Sequence, residues 1–316
     1  MGFTNFPNGI TCMGAPVPGN YYAGWWGKNV WYVDDDTGGD EVTRNGNSPR
    51  QALKTIQEAI TRASYHDTIF LKPREIDQDT HSSHGYYTGT NIIPANKTGL
   101  AIIGTGRGAG IGSAVQCMVE PDASSSDVAI TVRSPGVCIE NVGVKAVLSS
   151  NGAIYANVST AQAYGLTVSN CFFKSFQTAA VGMIHTETTH WTTIQHCTFK
   201  SFSAASTAIR QTSLIAAARN NTIRDCDFNG AVANISCDIW IGDSWGLLID
   251  NCRFNHASPT GGSNVYIFTQ GSLSTDHGLI SNCYFPKASV TVSHFITLMT
   301  GILDSHCYGD GEIIAT

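Results

Sequence analysis

Charge is the scarcest ingredient of this sequence: only 13% of its 316 residues are Asp, Glu, Lys or Arg. The 18 basic and 24 acidic residues leave a net charge of −6, which gives no electrostatic footing for nucleic acid as a partner. Long apolar runs are missing too. None approaches the ~20 residues of a membrane span, so no membrane partner is expected. The opening Met1-Gly-Phe-Thr-Asn-Phe-Pro has neither the basic start nor the apolar stretch of a signal peptide, and secretion by that route is not expected. What is plentiful is glycine, at 32 residues, together with Ser, Thr and Asn. That mixture suits short strands joined by tight turns.

One short phrase recurs six times in the second half of the chain. It reads Ile139-Glu-Asn-Val-Gly-Val, Val168-Ser-Asn-Cys-Phe-Phe, Ile194-Gln-His-Cys-Thr-Phe, Ile223-Arg-Asp-Cys-Asp-Phe, Ile249-Asp-Asn-Cys-Arg-Phe and Ile280-Ser-Asn-Cys-Tyr-Phe. The copies start 29, 26, 29, 26 and 31 residues apart, a period that belongs to solenoids and arrays. Cys-x-Phe alternates as a strand does, and an Asn, Asp or His before it suits a sharp left-handed bend. Each phrase is therefore strand, bend, strand. No helical pattern runs between copies, so three short strands per turn are expected, in an all-β, right-handed parallel β-helix. Stacked coils about 4.8 Å apart then predict internal ladders. One holds Cys171, Cys197, Cys226, Cys252 and Cys283; a second holds Phe173, Phe199, Phe228, Phe254 and Phe285. A third, at the bend, holds Asn141, Asn170, His196, Asp225, Asn251 and Asn282. The end of the chain, Leu303 to Thr316, reads as a degenerate last rung.

These phrases resemble the pectate-lyase-like β-helix superfamily, over roughly Val30 to the C-terminus. Upstream, Val30-Trp-Tyr-Val-Asp34 reads as a strand and Asp67-Thr-Ile-Phe-Leu-Lys-Pro73 and Leu100-Ala-Ile-Ile-Gly104 as later ones. Between them a capping helix is expected over 49–63, with Ser48 as cap, Pro49 in its first turn and Gln51 closing a capping box. Its apolar stripe is Ala52, Ile56, Ala59, Ile60 and Ala63. The resemblance implies a plugged N-terminal end, which a solenoid needs to cover its end coil. The domain reading is an extended arm, 1–29, followed by one β-helix domain, 30–316.

Ten cysteines raise the question of disulfides. Five occupy one repeat position, where they stack as small hydrophobes, and side chains aligned in parallel meet disulfide geometry poorly. Free structural thiols and synthesis in a reducing host cytoplasm are expected.

The arm has no strand or helix period but is rich in Pro, Gly and aromatic residues. Phe3, Phe6, Pro7, Ile10, Trp25 and Trp26 are its candidate contact residues, ordering against a partner or a neighbouring copy. In another reading Trp25, Trp26 and Trp31 cover the base of the solenoid. The opening Asn5-Phe-Pro-Asn-Gly-Ile resembles the N-termini of bacteriophage structural proteins. That resemblance implies a phage virion protein, non-enzymatic, trimeric, decorating or cementing the capsid and held to a capsid or other virion protein through the arm. The lateral turns carrying Trp191, Trp240 and Trp245 are candidate surfaces between copies.

The alternative is a tail spike or related protein that binds or cleaves surface polysaccharide. Neither the calcium carboxylates and Arg of pectate lyases nor the clustered aspartates, Gly-His-Gly and Arg-x-Lys of polygalacturonases occur here. Glycoside hydrolysis needs two carboxylates about 5 to 9.5 Å apart, which neighbouring rungs can supply. Asp238, Asp243 and Asp250 are the candidates, with His185, Glu187 and His190 a rung or two earlier. Alternation puts Asp238 and Trp240 on one face. As turn and surface residues the same aspartates are unremarkable, and no cofactor or metal is expected. Asp34-Asp-Asp36 with Asp40 and Glu41 reads as a solvated acidic loop, its spacing unlike an EF-hand. Gly104-Thr-Gly-Arg-Gly-Ala-Gly110 reads as a tight turn, since no helix follows it.

Overall fold

Each copy of the phrase builds one corner of a coil. In the first, the strand Cys138–Glu140 ends at Asn141, whose φ of 56° turns the chain, and the strand Gly143–Ala146 leaves in a new direction. A third strand, Ile154–Asn157, completes the turn before Thr167–Ser169 starts the next. The computed structural model describes residues 29–75, 86–106, 115–121, 128–146, 152–157, 163–175, 182–201, 207–212, 218–229, 237–255, 266–269, 277–285, 296–297, 302–309 and 312–314, and the backbone of 11–12 and 15–16. Among these, strands before the bend form an 11-stranded first sheet, those after it a 10-stranded second sheet, and the remainder an 8-stranded third sheet. The chain is an all-β parallel β-helix.

Like stacks on like. Ile139 pairs with Val168, Val168 with Ile194, Ile194 with Ile223, Ile223 with Ile249 and Ile249 with Ile280, all in parallel register. The five ladder phenylalanines form one column with ring centroids 4.9, 5.0, 4.7 and 4.8 Å apart. The six bend residues have φ between 50° and 56°. Their side chains join across rungs, as where Asn170 Nδ2 donates to Asn141 Oδ1 at 3.2 Å and Asn251 Nδ2 to Asp225 Oδ1 at 2.7 Å. His306, with φ 54°, and buried Cys307 repeat the corner once more, so the last rung is genuine.

The cysteine position has a chemical reason. A bend leaves the carbonyl two residues earlier facing inward, and a thiol is small enough to fit between rungs while donating weakly to it. Cys171 Sγ reaches Ser169 O at 3.2 Å, Cys197 reaches Gln195 O at 3.2 Å and Cys226 reaches Arg224 O at 3.2 Å. The nine described cysteines are all buried and none is in a disulfide, and burial holds the thiols of Cys197 and Cys226 well above their ordinary range.

At the N-terminal end the expected helix over 49–63 is divided. Pro49–Gln51 is a single 3-10 turn whose Ser48 makes no side-chain cap, and the α-helix, α1, runs only Ile56–Arg62. The cause is Leu53, fully buried and bridged to Val33, with its N–H on Tyr32 O and its carbonyl accepting from Asp34 N. Core burial thus pulls 52–55 straight. Thr55 becomes the cap, accepting from Glu58 N at 3.2 Å. Ile56, Ala59 and Ile60 face the first coil and close that end.

The acidic loop is also built differently from expectation. Asp34 is buried rather than solvated, held by Lys72 Nζ at 2.6 Å and by Thr37 Oγ1, and these bonds bring its carboxyl below the ordinary range despite desolvation. Asp40 accepts from Lys54 N at 2.8 Å and Thr55 Oγ1 at 2.8 Å. Both carboxylates therefore act as internal fasteners. At the opposite end, Glu312–Ile314 folds back antiparallel on Cys307–Gly309 and covers that sheet edge.

Candidate binding face

The outer face of the third sheet carries one column of large polar and aromatic side chains. Tyr155, His185, Arg210, Trp240 and Phe268 are successive register partners. Strand alternation turns their neighbours Ile154, Ile184, Ile209, Ile239 and Ile267 into the core and leaves this set facing outward. Tyr155 and His185 lie 5.3 Å apart, and the Arg210 guanidinium sits 4.9 Å above the Trp240 ring. His185 Nε2 meets Thr212 Oγ1 at 3.2 Å, while burial and the Arg210 charge bring its pKa down to about 4. It is a neutral ring at physiological pH. Asn157 Nδ2 donates to the Tyr155 hydroxyl at 2.6 Å, and Glu187 bonds the same hydroxyl; desolvation and Glu187 push the phenol up.

One turn further along each coil, where the third sheet hands over to the first, stands a second column. Tyr164, His190, Arg219, Trp245 and His277 follow one another rung by rung. Tyr164 and His190 stack with centroids 4.8 Å apart, Arg219 N–H donates to His190 Nδ1 at 3.0 Å, and Arg219 lies 5.3 Å over the Trp245 ring. Trp191 stands edge-on to Tyr164 and His190. It is 55% exposed and Trp245 is 46% exposed.

The backbone beneath this corner is left-handed in six successive rungs: Gly99, Gly136, Gly165, Trp191, Asn220 and Gly246 have φ of 69°, 67°, 68°, 54°, 52° and 75°. Glycine takes that angle freely, whereas a bulky side chain there costs about 1 to 2 kcal/mol. A buried polar network holds the strained turn. Asn221 Nδ2 donates to Thr189 O at 3.1 Å and Gln211 Oε1 at 2.7 Å, Asn221 Oδ1 accepts from Thr192 N at 2.9 Å, and Thr192 Oγ1 bonds Thr189 Oγ1 at 2.9 Å.

The three candidate aspartates are not brought together. Asp238 is only 3% exposed and shares a register column with Ala208 and Tyr266, both of the core, so it does not share the face of Trp240. Alternation fails there because the chain kinks just before the strand Ile239–Ile241. Asp243 lies in the corner turn, its carbonyl accepting from Ala218 N. Asp250 belongs to the other corner, where its Oδ1 accepts from Ser281 Oγ at 2.7 Å and Asn282 Nδ2 at 2.8 Å. His185 and Glu187 are on the third-sheet face, and His190 is in the aromatic corner. Phe3, Phe6, Pro7, Ile10, Trp25 and Trp26 lie outside the described residues; within the arm, Thr11–Cys12 pairs antiparallel with Ala15–Pro16. Among the described residues no group of three or more His, Cys, Asp and Glu side chains could hold a metal ion.

A cavity of about 430 Å³ opens at the base of the solenoid, walled by Tyr32, Phe70, Leu71 and Pro73 with Lys72 and Arg50 among its polar members. It lies beside the strand Val30–Val33, where the described solenoid begins.

No known protein family matches the chain in sequence, and no curated protein does. Solved structures do. Pectin methylesterase from Aspergillus niger aligns over 91% of this chain and 88% of its own, with a TM-score of 0.53 at 15% identity. The GH136 lacto-N-biosidase from Eubacterium ramulus aligns over 89% of this chain with a TM-score of 0.59 at 11% identity, and the chain spans 56% of that protein. ORF18 of Geobacillus virus E2 aligns over 81% of this chain with a TM-score of 0.44 at 13% identity, a likeness too slight to bear on fold or function. At such identities the first two share the β-helix fold and nothing finer.

The sequence reading missed the corner as a column. Its signal is positional: Gly136, Gly165, Trp191, Asn220 and Gly246 each stand three residues before the first residue of a phrase.

Proposed function

We propose that this chain is a non-enzymatic structural protein of a phage virion, a rigid β-helix that decorates or cements the capsid through its N-terminal arm. The observation that carries the non-enzymatic part is the dispersal of the carboxylates. Asp238 sits in a core column, Asp243 in one corner and Asp250 in the other, with Asp250 Oδ1 engaged by Ser281 and Asn282. Paired-carboxylate chemistry needs two such groups across one bond, and these three stand in separate parts of the coil. The virion part is supported by the resemblance of Asn5-Phe-Pro-Asn-Gly-Ile to phage structural proteins. The apolar cavity beside the first strand, at the root of the arm, adds a surface on which attachment contacts can be made.

The test is cosedimentation of the purified chain with particles stripped of it. The full chain returns to the particle and a chain lacking residues 1–29 stays in the supernatant with its β circular dichroism intact. Equal return of both forms refutes attachment through the arm. A second reading, recognition of surface polysaccharide, is favoured by a separate observation: an exposed indole, Trp245, beneath the Arg219 guanidinium, with a second exposed indole, Trp191, in the adjacent column.

A further inference from the structure

The geometry points to the corner formed by Tyr164, His190, Trp191, Arg219 and Trp245 as a binding site for a polysaccharide chain that lies along the solenoid axis. This rests on the second reading above and gives it a location, a direction and a set of residues.

Three independent features meet there. The first is exposure. Trp191 and Trp245 are more than two-fifths exposed in a protein that buries its ladder phenylalanines almost completely, so neither indole is kept for packing. The second is strain. Trp191 holds a left-handed φ of 54° where four other rungs use glycine, and Thr188, at the start of the same turn, holds 49°. Strained conformations persist when surrounding structure over-determines them, and they gather at functional sites. Here the over-determination is visible in the buried Asn221–Thr189–Thr192–Gln211 network directly beneath. The third is spacing. Trp191 N–H bonds Arg219 O and Asn220 N–H bonds Trp245 O, which sets the two residues two rungs apart along the axis in adjacent columns, about 9.6 Å of rise at the ~4.8 Å interval between strands.

That interval suits sugars. A pyranose chain advances by roughly one rung per residue, so the two indoles can each take the apolar C–H face of alternate units. Between them stand polar groups for the hydroxyls. His190 Nδ1 accepts from Arg219 N–H, which leaves Nε2 as the ring's donor in the neutral tautomer. Burial and the Arg219 charge lower the His190 pKa, keeping the ring neutral. The Arg219 guanidinium, 5.3 Å over the Trp245 ring, brings its fork of donors beside that platform. Apolar platforms with a few placed donors are what a sugar site requires.

The strain provides an unusual control. Glycine occupies the equivalent place in the preceding rung, as Gly165, so Trp191→Gly removes the platform while relaxing the backbone, and the variant is expected to fold at least as well as the parent. The experiment is a bacterial surface-glycan array probed with the full chain, followed by titration of the best glycan into parent, Trp191→Gly, Trp245→Ala and Tyr284→Ala proteins, Tyr284 being an exposed aromatic on the second sheet. The expected result is binding that weakens roughly tenfold or more in Trp191→Gly and in Trp245→Ala, the size of an aromatic hot spot, and little change in Tyr284→Ala. Binding to no glycan on the array, or binding unaltered in both corner variants, overturns the inference. Analytical ultracentrifugation supplies the remaining outcome: concentration-dependent self-association lost in the corner variants would replace the glycan with a second copy of the chain. Particle attachment through the arm is unaffected by Trp191→Gly, so the structural role and the glycan site fail separately.

Discussion

Removal of one ring from the middle of the phenylalanine column is the sharpest test of how the solenoid is held together. Phe228 is 1% exposed, and its ring lies between Phe199 at 5.0 Å and Phe254 at 4.7 Å, nearly parallel to both. Burying a phenylalanine contributes about 1.5 to 3 kcal/mol. Truncation to alanine adds a cavity term, because parallel strands above and below cannot collapse into the space; such changes cost about 3 to 5 kcal/mol in all. Two stacking contacts, worth roughly 0.5 to 1.5 kcal/mol each beyond area, put Phe228→Ala in the upper half of that range, near 4 kcal/mol. Phe228→Leu retains most of the volume and loses the stacking, so about 1.5 kcal/mol is expected for it. Urea unfolding followed by circular dichroism reads both values, and a double-mutant cycle with Phe199 isolates the stacking part. A loss below about 1 kcal/mol for the alanine variant, or no coupling to Phe199, would refute the column as a source of stability.

His185 predicts a pH dependence. Its pKa falls from 6.5 unfolded to about 4 folded, so the unfolded chain binds the extra proton first as pH drops. Stability from this residue is complete above about pH 6.5 and declines toward pH 4, by about 3 kcal/mol over the window; the decline is smaller in His185→Gln, and identical pH profiles would contradict the assignment. Thiol titration without reductant is expected to find all ten cysteines in denaturant and few reacting in the folded protein, since the nine described ones are buried away from the reagent; a denatured count near zero would mean disulfides instead. At the bend, Asn251→Ala is expected to lose about 2 kcal/mol, from the left-handed φ of 50° and the bond to Asp225, whereas Asn251→Gly loses only the bond, about 1 kcal/mol. Equal losses in the two would remove backbone strain from the account.

The ladders were legible because a stacked coil places equivalent residues in equivalent surroundings. Cys226 and Phe228 have counterparts in five of the six copies, with Val142 and Val144 in the first, since each repeat meets similar neighbours above and below. Asn, Asp and His at the bend share a tolerance for left-handed angles that can be read without coordinates. Other features depend on one rung and do not repeat. Leu53 ends the 3-10 turn because the core beside Val33 takes it, a tertiary demand that outweighed the helical signal of 49–63. Asp238 turns inward at a kink, where strand alternation does not apply. The aromatic corner escaped for another reason: glycine, tryptophan and asparagine have nothing in common as side chains, and only the sign of φ makes Gly165, Trp191, Asn220 and Gly246 one column.

The central claim, that the chain is a structural part of a virion, is tested most directly by immunogold labelling of native particles with antibody raised to the solenoid, counting gold over shell, tail and free solution. Regular label over the shell is the predicted result. Label confined to the tail would move the protein to the polysaccharide-recognising reading, and gold found only away from particles would contradict the virion role.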